Sequence, residues 1–416
     1  MYPAKWELST HFPISASPDF LIGSGQNFVA ALSTSFLRPI FACLPPTFFP
    51  IGAVGSRICV ALSGGVDSAV AAHLLLESGH AVEAVHMRTW QSEDGAGECP
   101  WQEDRESAQA VAEHLGIPLR IESLISLYRQ HVVDPLVAGY GSGRTPNPDM
   151  LCNRFIKFGA LLEGARASGC DFLATGHYCR IEHFPCGKHI IRRGVDQTKD
   201  QCYFLAAVRR EALPYALFPL GGLTKKRVRE IARKVGLPNA ERKDSQDICF
   251  LGGKVKIQDF LGRYLPDRPG DILSGEGKIL GRHRSLFRHT LGQRKGLAIP
   301  SNRDFERYVV TGKDLECNTL TVAFESDREN GLWSDSVELR DLNFLCEPIL
   351  GKRRLLTEPR FRDSSVAATV HFRENGTTAH VCFEQRQRAL AEGQTLAFYD
   401  GDRLLGGGTY GPRLSH

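Results

Sequence analysis

The chain has 416 residues, too long for one ordinary domain, and its 42% hydrophobic and 24% charged residues are those of a globular protein with apolar surface to spare for a core. Its twelve cysteines are scattered and never spaced Cys-x-x-Cys, which argues against a zinc site and against the disulfide framework of a small secreted domain. The net charge of +4 is uneven: Gly221 to Pro300 holds 18 Lys/Arg against 8 Asp/Glu, the footprint of a polyanion-binding region or of a solvated face.

Residues 1–56 carry four charges (Lys5, Glu7, Asp19, Arg38), repeated prolines and many phenylalanines, with no helical or strand periodicity. Arg38, Pro39, Pro45 and Pro46 keep every apolar run below membrane-spanning length. Neither an arginine-rich, acid-poor transit peptide nor a secretory cleavage site is present. The segment reads as a poorly ordered, dispensable extension. A reducing compartment follows, with bacterial cytoplasm first and mitochondrial matrix as the alternative.

Organised sequence starts at Arg57. Ile58 to Leu62 is an unbroken apolar run, as in a buried parallel strand, and Asp67 to Ser78 has helical spacing ended by Gly79. A strand over Ala81–Met87, a helix over Glu103–Leu115 and a strand over Leu119–Leu124 follow. Helices near Ser126–Tyr140 and Met150–Ser168 precede a strand over Asp171–Ala174. This alternation predicts an α/β domain with a doubly wound parallel sheet over residues 57–220.

A basic helix from Leu223 to Val235 opens a small, mixed, loop-rich central domain over 221–287. Short alternating segments then occur at Tyr308–Thr311, Thr319–Phe324, Ser336–Leu339, Val366–Phe372, His380–Glu384 and Thr395–Tyr399. Turn dipeptides such as Asn375-Gly376 and Asp400-Gly401 separate them. They predict a C-terminal antiparallel β-barrel over 288–416.

Ser63-Gly64-Gly65-Val66-Asp67-Ser68 lies between a strand and a helix start. Two glycines let backbone N–H groups approach a phosphate, the helix end adds positive dipole, and the serine hydroxyls can donate. Asp67 would repel phosphate unless magnesium lay between them. No lysine follows the glycines, so this is not a Walker loop. The plain alternative is a glycine turn with an Asp or Ser cap. The hexapeptide resembles the pyrophosphate loop of the ATP-pyrophosphatase superfamily, whose members cleave ATP to AMP while adenylating a carbonyl oxygen. The loop alone does not separate amide ligases from RNA-thiolating members.

The stretch Thr145-Pro146-Asn147-Pro148-Asp149-Met150-Leu151-Cys152 stiffens a loop with two prolines before a helix. Asp149 is placed to cap that helix, and Cys152 to lie in its first turn, where the dipole favours thiolate. Such a thiol can attack while Asp149 moves a proton. A buried packing cysteine is the alternative. Cys249 sits in Lys243-Asp244-Ser245-Gln246-Asp247-Ile248-Cys249, a polar loop with basic neighbours, where an ordinary loop cysteine is equally allowed.

Taken together, these segments are similar to the tRNA-specific 2-thiouridylases, and the likeness runs from Arg57 to the C-terminus. Further matches are Ala174-Thr175-Gly176-His177-Tyr178, Lys199-Asp200-Gln201, Phe260 to Pro266 and His289 to Gly296. The resemblance implies that Cys249 receives sulfur as a persulfide from a donor protein and that Cys152 is the nucleophile. Either that persulfide attacks the activated base directly, or Cys152 attacks it, frees hydrosulfide and leaves a Cys152–Cys249 disulfide. It implies ATP, with magnesium, at Ala61, Leu62, Ser63, Gly64, Gly65, Val66, Asp67, Ser68, Met87 and Gly176. The target base falls at Asn147, Pro148 and Asp149. Contacts to the tRNA anticodon stem-loop fall at His177, Lys199, Asp200, Gln201, Arg360, Phe361 and Gln394. It also implies a monomer. Gln246-Asp247 and the segment before Arg57 depart from the family pattern. The rival readings are an amide ligase or other RNA thiolase on the same loop, and a catalytically silent tRNA- or nucleotide-binding module.

Overall fold

The computed structural model describes residues 55–91, 101–244, 255–301, 303, 305–327 and 331–412. The expectations for residues 1–54 and for Gln246, Asp247 and Cys249 therefore lie outside the described residues.

Five parallel strands form the first sheet: β1 (Arg57–Ala61), β2 (Ala81–Arg88), β3 (Leu119–Ser123), β4 (Phe172–Ala174) and, beyond the β5–β6 hairpin (Cys179–His183, His189–Arg193), β7 (Ala216–Leu217). Their order is β3-β2-β1-β4-β7. Side chains alternate across a strand, so β1 and β2 feed two cores. Ile58, Val60 and Ala84 meet helices α1 (Val66–Glu77) and α2 (Trp101–Leu115), where Leu75 is fully buried. Cys59 and Val85 meet the helical stretches 125–141 and 148–167 through Val132, Leu136, Ile156 and Leu161. Burying each such side chain stabilises the fold by about 2 kcal/mol.

The second sheet has the order β10-β11-β8-β9, built from β8 (Gly270–Ser274), β9 (Ile279–His283), β10 (Tyr308–Asp314) and β11 (Thr319–Phe324). Two of these strands correct the expected boundary. Tyr308–Thr311 and Thr319–Phe324 were assigned to the C-terminal barrel, but Leu320, Thr321 and Val322 pair in parallel with Ile272, Leu273 and Ser274. An alternating strand shows one face apolar without saying which sheet it joins. The central domain thus reaches Phe324.

The barrel comprises β12 (Trp333–Phe344), β13 (Gly351–Glu358), β14 (Val366–Phe372), β15 (Ala379–Arg388), β16 (Thr395–Asp400) and β17 (Arg403–Tyr410). They pair in the order β12-β15-β14-β13-β16-β17, and β17 returns to β12, which closes an antiparallel six-stranded barrel. Closure depends on glycine. A Cβ on Gly406, whose φ is +137, would stand 2.0 Å from the Asn343 carbonyl oxygen, and one on Gly408 would stand 2.6 Å from Leu342.

The hairpin of β5 and β6, which periodicity does not reveal, leaves the α/β domain and pairs with β17, Leu404 opposite Ile191. Asp402 takes Arg180 and Arg192, each at 2.7 Å, and Arg193 reaches Glu358 at 2.8 Å. No helix among the described residues is long and apolar enough to cross a membrane.

Candidate active site

In the first sheet β1 lies between β2 and β4, so the connections run to opposite sides of it. The crevice beyond the carboxyl ends of β1 and β4 is where such a sheet binds ligands. From β1 the chain enters the Ser63–Ser68 loop. Gly64 has φ +84, and its carbonyl oxygen accepts from Ser107 Oγ (2.7 Å), Asn239 Nδ2 (2.9 Å) and Arg242 Nη1 (3.1 Å). Ser68 Oγ accepts from the Ser63 amide at 3.1 Å and donates to the Gly65 carbonyl at 3.0 Å. Helix α1 begins after Gly65 with no side chain capping it, so its leading N–H groups face the crevice. From β4 comes Gly176, where a Cβ would stand 2.9 Å from the Ser68 amide nitrogen. Backbone closeness, a helix start that no side chain caps, and small residues fit the polyphosphate of a nucleotide.

Lys225 Nζ lies 2.7 and 2.9 Å from the two carboxylate oxygens of Asp67, and Tyr178 Oη donates to that carboxylate at 2.7 Å. Lys225 also pairs with Asp244 at 2.8 Å, as do Arg229 at 2.6 Å and Lys199 at 3.0 Å. Burial raises the pKa of Asp244, but Lys225 and Lys199 outweigh it and bring the value down to about 2. Among the described residues no cluster of three metal-ligating side chains occurs. Sequence reasoning missed Lys225, Tyr178, Asn239 and Arg242. The one signal was negative: a phosphate loop without a lysine of its own.

On the other face of the sheet, Ala61 and Met87 pack against the core that contains Met150 and Cys152. The helix there is capped by Asn147, not Asp149. Asn147 Oδ1 accepts from the amides of Asp149 (3.0 Å) and Met150 (3.3 Å), and Pro148 takes the first helical position. Cys152 accordingly falls in the second turn, with its amide bonded back to Pro148 and Asp149 carbonyls, where little of the dipole's effect remains. From Cys152 to Leu161 the helix widens to i→i+5 bonding, broken at Phe158 and Gly159. Such widening recurs at functional sites. Cys152 is buried. Burial pushes the Asp149 carboxyl above its ordinary range, against the pull of Lys157. A carboxyl so placed, three residues before Cys152 on the same helical stretch, can hold a proton.

The expected tRNA contacts divide. His177 is buried between Phe158 and Phe218, its Nδ1 2.6 Å from Thr175 Oγ1, and burial with Lys157 nearby keeps it neutral. Asp200 is buried on Arg193 (3.0 Å) and the Gly194 amide (2.9 Å), and Gln201 Oε1 accepts from the Tyr178 amide (3.0 Å). Lys199 keeps about a third of its side chain exposed. Phe361 packs on Phe204 at 4.3 Å. Arg360 and Gln394 line a cleft of about 880 Å³ with Arg282, Arg284 and Lys295, bordered by 7 Arg/Lys and no carboxylate. The Gln394 Oε1 atom is buried without a hydrogen-bond partner there.

Three family descriptions match the chain in order: tRNA methyl transferase HUP domain over residues 56–253, tRNA methyl transferase PRC-barrel domain over 258–324, and aminomethyltransferase beta-barrel domain over 334–410. The tRNA-specific 2-thiouridylase MnmA of Akkermansia muciniphila is 46% identical over 356 residues, 85% of this chain and 98% of that protein. The protein of the same name from Listeria welshimeri is 42% identical over 355 residues, 85% of this chain and 94% of its own length. A solved 4-thiouridine synthetase–RNA complex with bound ATP is 19% identical, covers 51% of this chain and 50% of that one, and has a TM-score of 0.29. A likeness that weak bears on neither reaction nor ligand. Identity above 40% across almost the whole of both relatives places this chain in the tRNA-specific 2-thiouridylase family.

Proposed function

We propose that the protein is a tRNA-uridine 2-sulfurtransferase that thiolates the wobble uridine, with ATP activating the base and Cys249 and Cys152 delivering the sulfur. The observation that carries this reading is the meeting of three segments at one end of the parallel sheet. They are the phosphate loop, the Cys152 helix packed under Ala61 and Met87, and Asp244, which precedes Cys249 by five residues in the sequence and joins the loop through Lys225.

ATP would supply adenylation of the uridine 2-oxygen, which turns a poor leaving group into AMP. Gly64, Gly65 and the start of α1 hold phosphate through their amides, and Asp67 is the loop carboxylate able to face the accompanying magnesium. Asn147 and Pro148 position the base beside Asp149. The Cys152 thiolate attacks the inner sulfur of the Cys249 persulfide. A Cys152–Cys249 disulfide forms, hydrosulfide leaves, and that hydrosulfide displaces AMP from the activated carbon; a thiol reductant then reopens the disulfide. Asp149 holds the proton exchanged at Cys152. The buried surroundings of Cys152 keep water from the activated base. The wobble base leaves its stack to reach this depth. The basic cleft at Arg360 and Gln394 takes backbone phosphates of the anticodon stem-loop. A persulfide donor protein, a monomeric enzyme and the bacterial cytoplasm complete the reading.

The test is mass spectrometry of nucleosides from tRNA incubated with enzyme, ATP and a sulfide source. The wild type should yield 2-thiouridine, and C152S and C249S should each lose it while still binding tRNA. Full product from both variants would refute the reading.

A further inference from the structure

A triphosphate brings several negative charges to a loop whose own six residues offer only hydroxyls, amides and the like charge of Asp67. Amides and a helix dipole help, but the amount is modest next to a direct cation contact. The contact is available from a distant part of the chain. Lys225 opens the helix Lys225–Val235, and its backbone is fixed on both sides: Thr224 caps the helix by accepting from the Arg227 amide at 3.3 Å, and the Lys225 amide donates to Asp196 at 2.9 Å. That anchoring delivers the ammonium into the loop, 13% exposed and shared between Asp67 and Asp244.

We propose that Lys225 is the phosphate-binding cation of the Ser63–Ser68 loop, and that it exchanges Asp67 for the polyphosphate end of the nucleotide. The assignment rests on the ATP reading above. The exchange strands neither carboxylate. Asp244 retains Arg229 at 2.6 Å and Lys199 at 3.0 Å, and Asp67 retains the Tyr178 hydroxyl at 2.7 Å. Lys225 masks the like charge at Asp67 until the nucleotide arrives. A lysine suits this task better than an arginine, because a single ammonium on a flexible stem can change partners where a planar fork held in two directions cannot.

Titration calorimetry with magnesium pyrophosphate, magnesium ATP and AMP separates the possibilities. K225M should weaken pyrophosphate and ATP about tenfold to a hundredfold, the worth of a charge-assisted hydrogen bond, and leave AMP unchanged. K225Q keeps a hydrogen-bond donor for Asp67 and Asp244, and hence the fold, and should lose pyrophosphate to a similar degree. Unchanged pyrophosphate affinity in both variants, or equal weakening of AMP, would make Lys225 a structural tie and overturn the assignment alone. A wild-type chain that binds none of the three ligands would overturn the ATP reading and the assignment with it.

Discussion

Gly64 is the position where a single methyl group tests the phosphate loop most sharply. Its φ of +84 costs an alanine about 1 kcal/mol. The added Cβ would stand 2.4 Å from the Asp104 carbonyl oxygen and 3.0 Å from Arg242 Nη1, and the nearer atom is backbone that cannot rotate aside. Overpacking of that kind costs about 1–3 kcal/mol, for a total of about 2–4 kcal/mol. The loop can relieve the clash only by moving off α2, and it then gives up the three donors that converge on its carbonyl. G64A should therefore lower the melting temperature, speed hydrogen exchange at the start of α1, and weaken ATP by about tenfold or more. Calorimetry and exchange mass spectrometry on the full chain read all three. Wild-type melting, exchange and ATP affinity in G64A would refute the claim that this contact holds the loop in place.

Two further outcomes follow from the charges. The folded pKa of Asp244 is depressed to about 2, so its contribution to stability is fully present above the ordinary carboxylate value and is lost as the pH falls through about 2. Melting temperature should fall from pH 4 toward pH 2 more steeply in the wild type than in D244N; equal slopes would refute the linkage. In the cleft, R284A and K295A should each weaken tRNA about threefold to tenfold and lower the slope of log affinity against log salt by about one. Filter binding from 50 to 300 mM salt, as a rough working range, reads this, and an unchanged slope would place the phosphates elsewhere.

What could be read from the chain alone was whatever its physics makes local. The apolar run Ile58–Leu62 before two glycines specifies a buried strand and a phosphate turn because both depend on neighbours within six residues. The Asn147–Cys152 stretch announces a helix start in the same way, although its cap passed to Asn147, whose shorter path to the Asp149 and Met150 amides wins. β17 is absent from the alternating segments of the sequence, since Gly406, Gly407 and Gly408 have no side chains to alternate, and it is the packing of β12 against them that makes the strand. The sheet that takes β10 and β11 is equally a tertiary decision, because an alternating strand satisfies any partner with a matching apolar face. Lys225 shows the same limit at the site. It stands 158 residues from Asp67, in a helix whose sequence displays only surplus positive charge, and only chain folding turns one of those charges into a contact at 2.7 Å.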